Sequence, residues 1–83
     1  MKVIKFYADW CQPCKAITTM IGKIGDKITT PIEEVNIDNN IELAKKYMIR
    51  GVPTMVMVDD DGKEVKRHVG MATEKTILNF FEV

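Results

Sequence analysis

From Lys2 to Ala8 the chain alternates, with Val3, Lys5 and Tyr7 on one side and Ile4, Phe6 and Ala8 on the other, and this period of two predicts a strand. The period then lengthens. Cys14, Ile17, Ile21 and Ile24 recur at helical spacing with Met20 beside them, and Gly25 is the expected stop, so an amphipathic helix follows with Cys14 towards its buried side. The stretch from Ile28 to Ile37 predicts a second strand, opened around Thr29, Thr30 and Pro31 and carrying Ile32, Val35 and Ile37. Asn39 or Asn40 is placed to cap a second helix with Glu42 in its first turn; Ile41, Ala44 and Met48 mark its apolar face, Tyr47 completes that face, and Arg50-Gly51 ends the helix. Pro53 precedes Thr54-Met55-Val56-Met57-Val58, a run apolar on both faces, which predicts a strand covered by helices on both sides of a sheet. Asp59-Asp60-Asp61-Gly62 is a turn by composition, and Lys63 to Val69 should return as a more polar, antiparallel edge partner. Thr73 can cap a last helix whose Ile77, Leu78 and Phe81 face the sheet, with Phe80 close to that face.

The order strand, helix, strand, helix, strand, strand, helix is an α/β arrangement. A first strand joined through a helix to a parallel second one forms a right-handed βαβ unit, and the hairpin can add to the free side of the first strand. The expected fold is a four-stranded mixed sheet flanked by three helices. The 83 residues have room for one domain, 1–83, with one core. No internal repeat, linker or low-complexity segment interrupts it.

Composition changes this picture little. The chain is 46% hydrophobic and 29% charged, ordinary for a globular domain, and its 12 basic and 12 acidic side chains cancel. That balance argues against a nucleic-acid or membrane-surface partner, either of which would favour a basic excess. The opening residues Met1 to Tyr7 are too short and too alternating for a signal peptide, so a cytoplasmic protein is expected.

The candidate chemistry lies in Trp10-Cys11-Gln12-Pro13-Cys14, where the strand pattern gives way to the helical one. A thiol is a useful nucleophile only as thiolate, and Cys11 at a helix N-terminus would meet unpaired backbone N–H groups and the positive end of the helix dipole. Cys14, one turn inside, is near enough to close a disulfide. Redox exchange, half a zinc site and a structural bridge are all open to such a pair. Structural zinc normally takes four ligands, and the chain has two cysteines and one histidine, His68, so a thiolate-rich site within one chain is disfavoured and no metal is expected. A bridge across so short a loop would constrain the unfolded chain little. Pro13 falls in the first turn, where its missing N–H costs nothing. Trp10, beside the sulfur, fits a partly exposed contact surface better than a core position. His68 is expected on the hairpin surface, and Met55 and Met57 in the core rather than as thioether ligands.

Trp-Cys-x-Pro-Cys after a strand, followed by Gly51-Val52-Pro53-Thr54 opening the third strand, resembles the thioredoxin family. Asn36-Ile37-Asp38, Tyr47, Ile49-Arg50-Gly51 and Val69-Gly70 are similar to landmarks of the same family in the same order, so the resemblance runs the whole length. It implies the minimal thioredoxin fold, β-α-β-α-β-β-α, in a compact chain without the extra strand and helix that usually begin full-length members. It implies a monomeric thiol-disulfide oxidoreductase without a prosthetic group. Cys11 attacks a target disulfide, Cys14 resolves the mixed disulfide, and a partner such as thioredoxin reductase restores the dithiol. Pro53 should be cis and face the dithiol, Val52 should offer backbone hydrogen bonds to an extended target, and Gly70 and Met71 should complete an apolar rim beside Trp10. Gln12 stands where the family typically has Gly and should alter redox poise or target preference. The alternatives are a glutaredoxin-like protein regenerated by glutathione and a binding module that uses the same groove without turnover.

One departure from the family is specific. Where many thioredoxins bury an Asp and a Lys behind the resolving cysteine, this chain has Lys5 and Glu34. Either the pair persists with its polarity reversed and assists the proton that Cys14 must lose, or both residues are solvated on their strands with Lys5 snorkelling along the sheet edge. The rarity of fully buried Lys and Glu favours the solvated reading.

Overall fold

A computed structural model describes residues 1–82. The elements are β1 (Lys2–Tyr7), α1 (Gln12–Ile24), β2 (Ile32–Asn36), α2 (Ile41–Lys46), β3 (Thr54–Val58), β4 (Glu64–Val69) and α3 (Glu74–Phe81). The strands lie in the order β2-β1-β3-β4. β1 pairs in parallel with β2, with Lys5 opposite Glu34, and β3 runs antiparallel to both β1 and β4. This is the four-stranded mixed sheet with three helices that the hydrophobic pattern and the family resemblance imply.

Alternation along the strands divides the core into two layers. On one face Val3, Met55 and Met57 meet Ile17 and Ile24 of α1 and Ile77, Phe80 and Phe81 of α3. On the other, Ile4, Phe6, Val35, Val56 and Val58 lie beneath Tyr47, with Leu43 and Ile49 packed against them. Every residue of β3 is buried, as a strand covered on both faces requires. Thr54 is the polar member of that run, and its hydroxyl donates to the Gly51 carbonyl at 2.7 Å. The Asp59 carboxylate accepts from the backbone N–H of Asp61 and of Lys63, each at 2.9 Å, and Gly62 takes φ 81° to close the hairpin.

Two elements differ from the sequence expectation. β2 is shorter than Ile28–Ile37: α1 stops at Ile24 with Gly25 as its C-cap, as expected, but the chain runs on into a 3₁₀ turn, Gly25–Lys27, and Pro31 joins the ladder only through its carbonyl, which accepts from Val3 N–H at 2.9 Å. α2 stops at Lys46, and Met48 leaves it with φ 52°. Its apolar face is also rotated from the one expected, since Ile41 and Met48 are exposed while Leu43 and Tyr47 pack inward. Tyr47 sets that rotation: its ring lies 6.1 Å from Phe6 and its hydroxyl donates to the Gly62 carbonyl at 2.7 Å.

Candidate active site

β1 delivers the chain to the edge of the core, and the Ala8 carbonyl accepts from Cys11 N–H at 3.1 Å to turn it into α1. Cys11 is the N-cap of that helix, with extended backbone angles and a sulfur that accepts from the Cys14 N–H at 3.2 Å. A sulfur thus occupies the place that a serine or aspartate oxygen usually fills at a helix start. Gln12 and Pro13 are the first two helical residues, both exposed. Cys11 and Cys14 are joined by a disulfide with Cα atoms 5.3 Å apart.

Both sulfur-bearing residues are largely covered. Cys11 is 4% exposed and Cys14 2% exposed, and with Ala8 they form a small cluster against Tyr7, Ile37 and Val52. The side chain standing clear is Trp10, 67% exposed. Its indole N–H donates to Asp38 Oδ2 at 3.1 Å, and the Asp38 N–H is itself held by Asn36 Oδ1 at 2.9 Å. Asp38 is a neighbour of the dithiol turn, through Trp10, that reasoning on the cysteines passes over. Its signal lies in the parallel pairing of β1 with β2, which brings the Asn36-Ile37-Asp38 end beside the dithiol turn.

The Val52–Pro53 peptide bond is cis, as the resemblance implies. Val52 packs against the cysteine cluster, and the Pro53 carbonyl accepts from Gly70 N–H at 2.9 Å. Gly70 has φ 91°. Met71 is exposed beyond it, its carbonyl hydrogen-bonded to the His68 ring nitrogen at 2.9 Å. Val52 thus packs against the cysteine cluster, Gly70 is tied to Pro53, and Met71 is tied to His68.

The solvated reading of Lys5 is overturned. Its side chain is only 3% exposed, and its Nζ donates to Glu34 Oε1 at 2.6 Å and to Thr18 Oγ1. The Glu34 side chain is 54% exposed, so the pair has one dry member and one wet one. Parallel register holds it: Lys5 and Glu34 are direct cross-strand partners. An open groove of about 530 Å³ runs beside it, lined by Asp9, Cys14, Lys15, Thr18 and Glu34 among others. Thr18 is the second residue missed, although it stands four residues after Cys14 and so on the same helical face. Among the described residues no group of three or more His, Cys, Asp or Glu side chains is placed to hold a metal ion, and no helix is long and apolar enough to cross a membrane.

The sequence model of the Thioredoxin family matches residues 1–83. The chain is 34% identical over 77 residues to a thioredoxin of Chlamydia caviae, covering 92% of this chain and 74% of that protein. It is 38% identical over 79 residues to a thioredoxin of Griffithsia pacifica, covering 93% and 72%. Among solved structures, a mutant thioredoxin from Halobacterium salinarum superposes with a TM-score of 0.86 at 32% identity, covering 96% of this chain and 70% of that one. Thioredoxin 1 from Thermosipho africanus gives a TM-score of 0.82 at 27% identity, covering 99% and 91%. Sequence and fold agree over nearly the whole length, and the chain therefore belongs to the thioredoxin family and is a thiol-disulfide oxidoreductase.

Proposed function

We propose that the protein, acting as a single monomeric domain over residues 1–83, reduces disulfides of other proteins with Cys11 as nucleophile and Cys14 as resolving thiol. The Cys11 thiolate attacks one sulfur of the target disulfide; a Cys11–target bond forms, and the other target sulfur leaves with the electron pair and takes up a proton. Cys14 then loses its proton and attacks Cys11, and the second target sulfur departs. Two electrons have passed to the target and the Cys11–Cys14 bond has formed.

The observation that carries this assignment is the capping geometry. Cys11 Sγ accepts from the Cys14 N–H at 3.2 Å, and a thiolate at that place would keep this donor and the positive end of α1. Cys14 is one turn inside and lacks the cap position. Trp10, Val52, Pro53, Gly70 and Met71 form the platform proposed to receive an extended segment of the target, with Val52 pairing through its backbone. Gln12 and Pro13 start the helix and tune the couple. The exchange needs no prosthetic group, and we assign it to a reducing, cytoplasmic compartment with an enzyme of the thioredoxin-reductase class as donor.

Reduction of a generic protein disulfide, run in parallel with NADPH and thioredoxin reductase and with glutathione and its reductase, tests the reading. Turnover with the first system, abolished in Cys11→Ser, is expected. Turnover with glutathione alone would reassign the donor, and target binding that survives in Cys11→Ser without reduction by the wild type would make the groove a binding module.

A further inference from the structure

Lys5 is a buried cation that the exchange just described does not use. Its ammonium bonds Thr18 Oγ1, and Thr18 donates its own proton to the Cys14 carbonyl at 3.1 Å. The cation is therefore two hydrogen bonds from the backbone of the resolving cysteine. Its counter-charge is more open to water: Glu34 bonds the ammonium at 2.6 Å but keeps 54% of its side chain exposed, against 3% for Lys5. Water screens a charge that faces it far more than one enclosed by protein. Cys14 is itself 2% exposed, so of the two charges the enclosed ammonium is the less screened towards it, while Glu34 lines the open groove that Cys14 also borders. The other ionisable groups facing this region are Asp9 and Lys15, which line the same groove with opposite signs and are both exposed, and Tyr7, whose neutral ring lies 6.0 Å from the ammonium.

We propose that Lys5 is a positioning residue whose buried positive charge favours the thiolate of Cys14, and that Glu34 holds Lys5 in place while tempering its field. This rests on the reading of Cys14 as the resolving thiol. In the step concerned, the Cys14 thiol gives its proton to water at the groove. The sulfur's freed electron pair forms the Cys14–Cys11 bond, the Cys11–target bond breaks, and the target sulfur leaves with that bond's electron pair and is protonated by solvent. An opposite charge nearby lowers a thiol's pKa by about one unit or more, so about tenfold more thiolate is present at neutral pH. Lower basicity also weakens the nucleophile, which leaves a net gain of about threefold in the resolving rate.

The test is a thiolate titration by ultraviolet absorbance in the reduced Cys11→Ser background, where Cys14 is the only thiol, comparing Lys5→Met with Glu34→Gln. Lys5→Met should raise the Cys14 midpoint by about one pH unit and Glu34→Gln should lower it. Shifts in the same direction, or none, would mean that the pair merely ties β1 to β2, and would overturn the proposal. If Lys5→Met does not fold, Glu34→Gln at the half-exposed partner decides alone: a fall in the midpoint supports the proposal, and a rise or no change refutes it. In the two-cysteine protein, Lys5→Met should resolve the mixed disulfide about threefold more slowly at neutral pH and recover above its raised midpoint. Because the titration requires no turnover, its failure is distinct from failure of the disulfide-reduction assay.

Discussion

Replacing Gly70 and Gly51 separately by alanine isolates the cost of one backbone angle in the segment that follows β4. Neither glycine has a neighbouring atom within 4 Å of an added Cβ, so side-chain packing drops out of the comparison. Gly70 has φ 91°, whereas Gly51 is outside the positive-φ region. Forcing an L-residue to positive φ costs roughly 1–2 kcal/mol, and the Gly70 N–H is tied to the Pro53 carbonyl at 2.9 Å, which resists relaxation. Alanine at either position also restricts the unfolded chain and returns roughly 0.4–1 kcal/mol. Gly51→Ala should therefore stabilise by about 0.5 kcal/mol and Gly70→Ala destabilise by about 1 kcal/mol. With a urea slope of about 1 kcal/mol/M for so small a protein, the two midpoints should separate by about 1.5 M. Urea unfolding of the oxidised variants, followed by circular dichroism, measures this directly, with an unchanged slope as the check that only stability moved. Equal midpoints, or a Gly70→Ala protein more stable than Gly51→Ala, would show that the angle at residue 70 is not what requires glycine there.

Asp38→Ala removes the acceptor of the Trp10 indole N–H and should raise KM for a protein disulfide about two- to fivefold with kcat little changed, as steady-state kinetics will show. Arg67 donates to both oxygens of Glu64, at 2.7 and 2.5 Å, and chiefly through this hydrogen bonding holds its carboxyl below the ordinary 4.5. A native value below the unfolded one gives stability that is present above the ordinary pKa and lost as pH falls through the lowered one, so Arg67→Met should flatten the acid limb of urea midpoint against pH. Asn40→Ala removes the cap that accepts from Leu43 N–H at 3.2 Å and should cost about 1 kcal/mol in urea unfolding, with Asn40→Asp close to wild type.

The parts of the fold legible in the sequence are those where two signals coincide. β3 is bounded by Pro53 and by the aspartate turn and is apolar throughout, and it forms over the expected residues, Thr54–Val58. Thr73 sits before a strongly amphipathic run and caps α3 by accepting from the Thr76 N–H at 3.1 Å. α2 carried a cap signal that held, Asn40 accepting from the Leu43 N–H, but its apolar face was ambiguous. In a helix of 6 residues, the series Ile41, Ala44, Met48 and the series Leu43, Ala44, Tyr47 fit the helical period equally well. The choice between them is made by Phe6 and Gly62, which the chain brings to Tyr47 from elsewhere in the sequence. β2 ran short for a similar reason: threonine and isoleucine around Pro31 suit a strand, but a strand extends only where β1 offers partners.

Lys5 shows how alternation and residue type can conflict, and which prevails. The period of two placed Lys5 on the side of Val3, and that side is the one covered by α1 and α3; residue type argued for solvent. Alternation prevailed because Glu34 stands directly opposite on β2 and Thr18 reaches down from α1, so the ammonium enters the protein with two partners and without an unmet hydrogen bond among the buried side chains described. Residue-type statistics average over positions that lack such partners, and a single sequence does not display cross-strand register. The role proposed for that charge depends on the same geometry. A pair buried at both ends would present little net field to Cys14, and a pair exposed at both ends would be screened. With the cation enclosed and the carboxylate at the rim, the field of the enclosed charge survives on the side of the resolving sulfur.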